Sequence, residues 1–316
     1  MDDIKGQEQA KRALMIAASG GHNILMHGPP GSGKTLLARA LAGIMPLMNH
    51  EEAIEVTKIY SVAGLISDTP LITKRPFRSP HHSTSSVAIV GGGSWPRPGE
   101  ITLAHRGVLF LDEFPEFPRA VIEALRQPME EGEVVVSRAA TSIKFPARFM
   151  LVAAMNPCPC GNHGDPVKAC ICTEPMIARY QKKISGPILD RIDIQINVAR
   201  EHYDKLAADT PPQGLSPEAM RNIIGTVRDV QSKRFEHTPL LTNSEMGPRE
   251  IQKFCKLDAG SNDFMRKVVT THNLSGRGYH KLLKLARTIA DLDDKPNIGF
   301  NHLAEAVNYR IQSEVI

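Results

Sequence analysis

The chain has 316 residues, of which 41% are hydrophobic and 23% charged, with a formal net charge of +4. This composition is that of a globular protein long enough for two domains, and no apolar run is long enough to cross a membrane. The mild positive charge permits a polyanionic partner without requiring one. Because the first segment, MDDIKGQEQAKRAL, is charged and lacks the apolar core of a secretory signal, we expect a cytoplasmic protein with no membrane partner.

The first predicted elements form a strand–loop–helix unit. Residues 7–18 place small apolar side chains on one helical stripe, and glycines at 20–21 end that helix. The segment NILMHG predicts a short buried strand, and LLARALAGI predicts a helix. Between them, GPPGSGKT at 28–35 matches the P-loop pattern G-x-x-x-x-G-K-[ST] in full.

The P-loop predicts a phosphate-binding site. Its glycines let backbone N–H groups turn toward phosphate oxygens, and the following helix adds its positive N-terminal end. Lys34 can reach the β- and γ-phosphates, and the Thr35 hydroxyl can hold Mg²⁺. The residues of this segment predicted to bind the nucleotide are Gly28, Pro29, Pro30, Gly31, Ser32, Gly33, Lys34, Thr35 and Leu36.

The span from about 46 to 100 is rich in Pro, Gly and His and predicts loops and short hairpins. Its adjacent histidines, His81 and His82, would point to opposite sides of a strand or loop. A metal shared by this pair is therefore not expected without other ligands. We predict that they are loop residues in contact with substrate or with nucleotide-sensing loops.

The segment GVLFLDE at 107–113 predicts a strand buried on both faces and ending in two acids. Asp112 would place a carboxylate near Mg²⁺ at the strand end. Glu113 would polarise the attacking water as a general base. An upstream P-loop and this pair of acids together indicate ATP hydrolysis, with binding without turnover as the alternative.

The later elements continue the alternation of strands and helices. The sequence predicts a helix over 118–132, a β-hairpin over 134–145, and buried strands over 149–156 and 192–198. This alternation is typical of a parallel α/β sheet. The segment 208–220 contains three prolines and predicts a linker, and the helical apolar spacing beyond it predicts a small helical domain.

Four of the five cysteines fall as two C-x-C pairs, Cys158/Cys160 and Cys170/Cys172. In a reducing compartment, clustered cysteines indicate a metal or catalysis before disulfides. Four thiolates suit tetrahedral Zn²⁺. Since C-x-C is tighter than the usual C-x₂-C, disulfides and free thiols stay open, and an iron–sulfur cluster would have no electron-transfer role here.

These motifs together resemble the ComM/YifB family of Mg-chelatase-like AAA+ ATPases, over essentially the whole chain. The resemblance lies in the P-loop, GVLFLDE, MLVAAMNPCPCG, SGPILDRIDI, LSGRGYHKLLKLARTIADL, RPFRSPHH and VGGGSWPRPGEITLAHRGVLFLDE. It implies an α/β P-loop AAA+ sheet flanked by helices, with a small C-terminal helical lid. Full-length members have an N-terminal Lon-protease-like domain, and we expect this chain to be the module without it.

The resemblance implies further site residues. Asn156 matches sensor 1, which orients the attacking water; Arg191 matches the arginine finger; and Arg277 matches sensor 2 of the lid. Ile4 and Gly6 match the segment that lines the adenine pocket. Because the finger reaches the nucleotide of the neighbouring subunit, the resemblance implies a homo-hexameric ring that uses ATP and Mg²⁺. A zinc clip in the four-cysteine loop would stiffen the link between sensor 1 and the finger.

The predicted domain limits follow from the composition and the resemblance. They are an ATPase domain at 1–207 (with a helix-2 insertion at about 74–100, a pre-sensor-1 hairpin at about 134–145 and the four-cysteine loop at 158–172), a linker at 208–220 and a helical lid at 221–316.

Both inserted features contain cations. In related ring helicases such hairpins point into the pore and contact the nucleic-acid backbone, which needs no sequence readout. The cations predicted to contact DNA are Lys74, Arg75, Arg78, Arg97, Arg138 and Lys144. Composition leaves open that they are solvated rim residues.

By resemblance, the function is that of a DNA-translocating branch-migration helicase in recombination and natural transformation. The alternative is a protein- or metal-insertion-remodelling ATPase of the Mg-chelatase or MoxR type. A nucleotide-gated binding module without turnover is disfavoured, because Glu113, Asn156 and Arg191 are all present.

Overall fold

The computed structural model describes residues 4, 6–66, 71–93, 96–138, 141–165, 167–201 and 215–311, with the backbone alone at 137, 138, 141 and 311. Most of the predicted linker, 208–220, lies outside these residues. The described part of that segment enters a helix at Pro217.

The elements of the described chain alternate between strands and helices as predicted. The strands are β1 Ile24–His27, β2 Phe77–Arg78, β3 Gly91–Gly92, β4 Arg97–Pro98, β5 Val108–Leu111, β6 Glu133–Arg138, β7 Thr141–Pro146, β8 Met150–Met155 and β9 Ile194–Asn197. The helices are α1 Glu8–Gly20, α2 Lys34–Ile44, α3 His50–Val62, α4 Ser86–Val90, α5 Glu100–Leu103, α6 Arg119–Ala124, α7 Arg126–Glu131, α8 Glu174–Gln181, α9 Gly186–Leu189, α10 Pro217–Arg234, α11 Pro248–Phe254, α12 Ala259–Thr271, α13 Gly276–Leu292 and α14 Phe300–Ile311.

The central feature is a five-stranded sheet in the order β2-β5-β8-β1-β9. Strand β5 pairs in parallel with both β2 and β8, with Val108 opposite Met150. Every residue of β5 and β8 is buried, as the near-continuous apolar sequences of these strands predict. The predicted α/β sheet with flanking helices and a helical C-terminal region is confirmed.

Contacts within the chain divide it into two compact units. Unit 1 contains Met1–Ile24, Arg39–Pro46 and Ile192–Ile316, and unit 2 contains Leu25–Ala38 and Leu47–Arg191. The predicted domain limits at 207 and 221 both fall within unit 1 and stay predictions.

The helix predicted over 118–132 is two helices in unit 2. Helix α6 ends at Ala124 and α7 begins at Arg126. Pro128 lacks a backbone N–H, and its ring crowds the carbonyl four residues earlier, which belongs to Ala124. The break therefore falls where the proline requires it.

The two inserted features of unit 2 contain short hairpins. Strands β6 and β7 pair antiparallel with Val134 opposite Phe145, as predicted, and residues 139–140 lie outside the described residues. In the 74–100 insertion, β3 pairs antiparallel with β4. The apolar piece of this insertion forms helix α4, in which the Ser85 side chain accepts a hydrogen bond from the Ala88 N–H.

Unit 1 contains a buried polar network. The Asp193 carboxylate accepts hydrogen bonds from the Asn23 N–H at 3.1 Å and lies 2.7 Å from the Lys281 ammonium. Burial acts to raise the pKa of Asp193, but Lys281 and His22 outweigh it and hold the pKa well below its usual range. Asp193 is thus a charged anchor for helix α13. Within the described chain, no helix combines the length and apolar character that a membrane span needs.

Candidate active site

The loop between β1 and α2 adopts a conformation that only glycine takes without strain. Gly31 and Gly33 have φ values of +76° and +92°. No atom lies within 4 Å of where a Cβ would stand at either position. Glycine is therefore required here by the backbone conformation and not by lack of space.

Lys34 is held against the loop and the end of β8. Its ammonium donates to the carbonyl oxygens of Gly28 at 2.7 Å and Pro29 at 2.9 Å, and to Asn156 Oδ1 at 3.2 Å. Burial lowers the pKa of Lys34 to about 8, against the opposing effect of Asp112 and Glu113. The predicted sensor amide and the P-loop lysine are thus in direct contact.

The predicted Mg²⁺ ligands also meet. The Thr35 hydroxyl, in helix α2, donates a hydrogen bond to Asp112 Oδ2 at 2.7 Å. Asp112 directly follows β5 and is 77 residues away in the sequence. A hydroxyl and a carboxylate side by side are oxygen donors of the kind that Mg²⁺ prefers. The residues present therefore fit a Mg²⁺ bound together with nucleotide phosphates.

Glu113 has a strained backbone and an unexpected partner. Its φ is +49°, a value uncommon for a residue with a side chain, and its N–H donates to Asp112 Oδ1 at 2.9 Å. Its carboxylate lies 3.2 Å from Nδ1 of His82, which belongs to the 74–100 insertion. No local pattern specified this contact beyond the expectation that the two histidines meet substrate or nucleotide-sensing loops.

The expectation that His81 and His82 point to opposite sides is wrong. Their ring centroids lie 4.0 Å apart, because the pair enters a turn and not a strand. The ring of His82 also meets Phe117 edge-on at 6.4 Å. The His82 side chain therefore contacts the ring of His81, the ring of Phe117 and the carboxylate of the candidate base, Glu113.

Arg191 packs against helix α7 of the same chain. Its guanidinium lies 2.6 Å from Glu130 Oε1 and donates to the Pro187 carbonyl at 2.5 Å. The side chain is only 12% exposed. Sequence reasoning did not anticipate Glu130, because nothing in its local pattern marks it as a partner of the predicted finger.

The remaining predicted nucleotide residues differ in their surroundings. Leu36 is 44% exposed in α2, whereas Ile4 of unit 1 is buried. Gly6 has φ +67°, and a Cβ there would meet the carboxylate of Glu201 at 2.6 Å. Arg277 is exposed in the first turn of α13, in unit 1. Contacts within unit 2 thus join Lys34 to Asn156 and Thr35 to Asp112. The predicted site residues Ile4, Gly6 and Arg277 belong to unit 1.

The four predicted cysteines converge. Their sulfur atoms all lie within 4.8 Å of one another. Cys158 and Cys160 are 3.4 Å apart, and each is 3.7 Å from Cys170. A tetrahedral zinc site with Zn–S bonds of about 2.3 Å has S–S edges of about 3.8 Å. All four thiols are free of disulfides, so the geometry fits a metal bound by four sulfurs.

Backbone groups support these sulfurs. The N–H groups of His163 and Cys172 donate to Cys158 Sγ at 3.3 Å and to Cys170 Sγ at 3.4 Å. Hydrogen bonds from the N–H groups of Asn162 and Ile171 lower the pKa of Cys160 to about 6, whereas burial and the neighbouring thiols outweigh the Cys172 N–H and raise the pKa of Cys170 to about 12. Donors aimed at sulfur favour the thiolate, which is the form that binds metals.

The four-cysteine loop contacts the P-loop. At Gly161, with φ +81°, a Cβ would meet Cδ and Cγ of Pro30 at 2.5 Å. The loop also begins at Asn156, whose preceding residue accepts a hydrogen bond from the Gly28 N–H at 3.2 Å. A metal held by the cysteines would therefore brace the phosphate loop as well as the sensor.

The cations predicted to contact DNA have different environments. Arg75 forms a buried ion pair with Glu52 at 2.8 Å, and Arg78 pairs with Glu100 at 2.6 Å. Lys144 pairs with Glu133 at 2.7 Å but is 67% exposed. Lys74 and Arg97 are exposed. For Arg138 only the backbone is described.

The fold and the site define a P-loop ATPase of the AAA+ class. A family model described as magnesium chelatase, subunit ChlI, matches residues 1–206, and one described as magnesium chelatase, subunit ChlI C-terminal, matches residues 214–310. The chain belongs to this Mg-chelatase-like AAA+ family, and its resemblance to ComM and YifB is confirmed by the relatives below.

Curated relatives match nearly the whole chain. It is 46% identical over 311 residues to a protein named "Competence protein ComM" from Haemophilus influenzae, and 44% identical over 310 residues to "Uncharacterized protein YifB" from Escherichia coli. Each match covers 98% of this chain and 60% of the relative. The magnesium-chelatase 38 kDa subunit of Rhodobacter capsulatus is 31% identical over 345 aligned positions, which cover 98% of this chain and 87% of that protein.

Family membership defines the coarse chemistry. AAA+ proteins of this family use ATP and Mg²⁺, and the site described above contains the oxygen and ammonium groups that such ligands need.

Proposed function

We propose that this chain is the motor module of a DNA-translocating branch-migration helicase. The main structural support is that Lys34 contacts Asn156, and Thr35 contacts Asp112, within unit 2. The chain is also 46% identical to a protein named as a competence protein. The chain spans 60% of that relative's length, so the activity of the whole protein stays part of this proposal.

In the proposed reaction, Lys34 binds the β- and γ-phosphates and neutralises charge on the transferred phosphoryl group. Thr35 and Asp112 would hold Mg²⁺, which supplies further neutralisation of phosphate charge. Glu113 accepts a proton from the attacking water, and the Asn156 side chain orients that water beside the γ-phosphate. Arg277 completes the site from the lid, and the segment of Ile4 and Gly6 lines the adenine pocket.

We further propose a homo-hexameric ring in which Arg191 reaches the nucleotide of the neighbouring subunit. Its guanidinium would stabilise charge in the transition state. The ion pair with Glu130 orients Arg191 on the surface of unit 2 before it meets a neighbour.

DNA contacts would come from the two inserted features. The proposal rests on the exposed cations Lys74, Arg97 and Lys144, with Arg138 at the hairpin end. Arg75 and Arg78 support these loops mainly through their ion pairs with Glu52 and Glu100. Contacts of this kind bind phosphates without reading sequence.

The four cysteines would hold Zn²⁺ in a structural role. Tetrahedral sulfur ligation suits Zn²⁺, and the hydrolytic residues need no thiol nucleophile. The zinc would clip the loop that joins Asn156 to the segment of Arg191.

ATPase activity with and without single-stranded or forked DNA tests the DNA proposal. We expect the rate to rise with DNA at low salt, where phosphate contacts are strongest. Similarity to the magnesium-chelatase 38 kDa subunit makes a protein- or metal-insertion-remodelling ATPase the second candidate. ATP hydrolysis with neither DNA binding nor stimulation at low salt would favour that candidate.

Substitution Glu113→Gln tests the assigned base. We expect the variant to bind ATP and to hydrolyse it at least about a hundredfold more slowly, because the amide cannot accept the proton. Glu51→Gln, at an exposed acid of α3, is the matched control and should keep the wild-type rate. Equal turnover in Glu113→Gln and wild type would exclude Glu113 as the base.

A further inference from the structure

A groove of about 730 Å³ lies in unit 2, between the segment after β5 and helix α8. Arg119 lines one wall, and Arg179, Lys182 and Lys183 line the other. None of these four cations belongs to the inserted features described above. The groove is therefore a separate basic surface of the same unit.

The charge of this groove is strongly one-sided. Glu116 is the acid among its lining residues, and it pairs with Lys183 at 2.9 Å. Within the described part of the chain, Arg119, Arg179 and Lys182 have no ion pair. The groove thus concentrates about three uncompensated positive charges, close to the net charge of +4 of the entire chain.

The groove is preformed and suited to contact with phosphates. Buried Ile177 and Tyr180 anchor α8, which contains Arg179, and Lys182 and Lys183 directly follow the end of this helix at Gln181. Pro115 and Pro175 in the lining lack N–H groups. The donors that the lining offers to phosphates are therefore mainly the Arg and Lys side chains.

The groove also adjoins the candidate base. Phe117 forms part of the groove wall and meets the ring of His82 edge-on at 6.4 Å. His82 in turn lies 3.2 Å from the Glu113 carboxylate. An occupant of the groove would contact Phe117, which adjoins the histidine that pairs with the candidate base. The three uncompensated cations of the lining match the repeated phosphate charge of a nucleic-acid strand.

We propose that this groove binds the phosphodiester backbone of a single nucleic-acid strand and links that strand, through Phe117 and His82, to the base Glu113. This inference rests on the proposed DNA-dependent function and adds a second DNA contact outside the inserted loops.

The test uses the full chain with Arg179→Gln and Lys182→Gln combined. The matched control combines Lys256→Gln and Lys267→Gln, two exposed cations of unit 1, so both variants lose the same charge. Binding of a labelled single-stranded oligonucleotide is measured by fluorescence anisotropy over a salt series, together with ATPase rates with and without that oligonucleotide.

We expect the groove variant to lose about tenfold in affinity near 0.1 M salt and to reduce the salt-dependence slope by about 1.4, since each phosphate contact on a single strand contributes about 0.7. Its basal ATPase rate should stay at the wild-type level, which shows that it folds, and its stimulation by DNA should fall.

Two results would overturn the inference in distinguishable ways. If wild type binds DNA and the groove variant matches the control in affinity and slope, the groove does not bind the strand and the proposed function stands. If wild type itself neither binds the oligonucleotide nor responds to it, the proposed function fails first.

Discussion

At the scale of single residues, the candidate base is positioned by a side chain from a distant segment. Glu113 follows β5, whereas His82 precedes α4, and their side chains meet at 3.2 Å. A carboxylate that acts as a base must stand at hydrogen-bonding distance from the attacking water, so a second group that fixes its direction affects the rate.

Substitution His82→Ala should therefore lower kcat for ATP by about tenfold and leave KM nearly unchanged, because the phosphate contacts of Lys34 are untouched. His82→Asn keeps a side-chain donor and should restore part of the rate. His237→Ala, at an exposed histidine of unit 1, is the control. An unchanged kcat in His82→Ala would show that the contact with Glu113 has no role in turnover.

The stability of the folded chain should depend on the protonation of His105. The backbone N–H of Arg148 donates to its Nδ1 at 3.0 Å, so the neutral ring donates from Nε2 to Glu55 at 3.1 Å. Burial, with Arg106, lowers the pKa of His105 to about 4, against the opposing effect of Glu55. Protonation of Nδ1 would break the bond from Arg148.

The unfolded chain therefore binds more protons than the folded one between the ordinary histidine pKa of about 6.5 and the folded value of about 4. Stability should fall as the pH drops through this window, by about 1 kcal/mol from His105 between pH 7.5 and 5.5. Urea unfolding at both pH values, on wild type and on His105→Gln, measures it. The variant should lose less stability on acidification, and equal losses would contradict the assignment.

At the scale of elements, the four-cysteine loop joins several parts of the site. It starts at Asn156, which contacts Lys34, and it packs through Gly161 on Pro30. A metal in this loop should therefore stabilise unit 2 and also preserve the shape of the phosphate loop.

Metal analysis after preparation without chelator should give about one zinc per chain for wild type. Cys160→Ser should lose the zinc, lower the unfolding temperature and weaken ATP binding, because the loop over Pro30 is released. Cys255→Ala removes the lone buried cysteine of unit 1 and should keep the zinc. Wild-type protein without zinc would rule out this role for the four cysteines.

Some of the site residues and helix limits could be predicted from the sequence, and others could not. The P-loop and the acids after β5 are contiguous motifs whose backbone requirements are local, so residues such as Lys34, Thr35 and Asp112 could be assigned before the structure. The sequence alone could not distinguish the exposed cation Lys74 from the ion-paired cation Arg75 beside it, because the fold is what brings Glu52 to Arg75. The turn at His82 depends on backbone dihedrals that two neighbouring histidines do not specify. The break in the helix near Pro128 could have been predicted from the proline alone.

At the scale of the whole molecule, the proposed ring depends on a residue that works between subunits. Arg191 lies at the end of unit 2 and pairs with Glu130 within its own chain. If it acts in trans, each active site takes its P-loop from one subunit and its finger from the next.

Mixing two inactive variants tests this arrangement. Arg191→Ala should lose at least about a thousandfold in ATPase rate, and Lys34→Ala should also be inactive. An equal mixture should regain activity at about a quarter of the interfaces, where an intact P-loop meets an intact finger in a head-to-tail ring. Mass determination with ATP shows whether rings form. Rings without recovered activity would place Arg191 in its own subunit's site.

The path of the chain through its two units also affects how the protein is made. Helix α1 ends at Gly20 and buries its apolar side chains within unit 1, but the rest of that unit resumes only at Arg39 and then at Ile192. On a ribosome that adds about 5–20 residues per second, α1 emerges on the order of ten seconds or more before its partners. During synthesis this helix is therefore the segment with the longest exposure of apolar surface, and the one where chaperone binding would matter most.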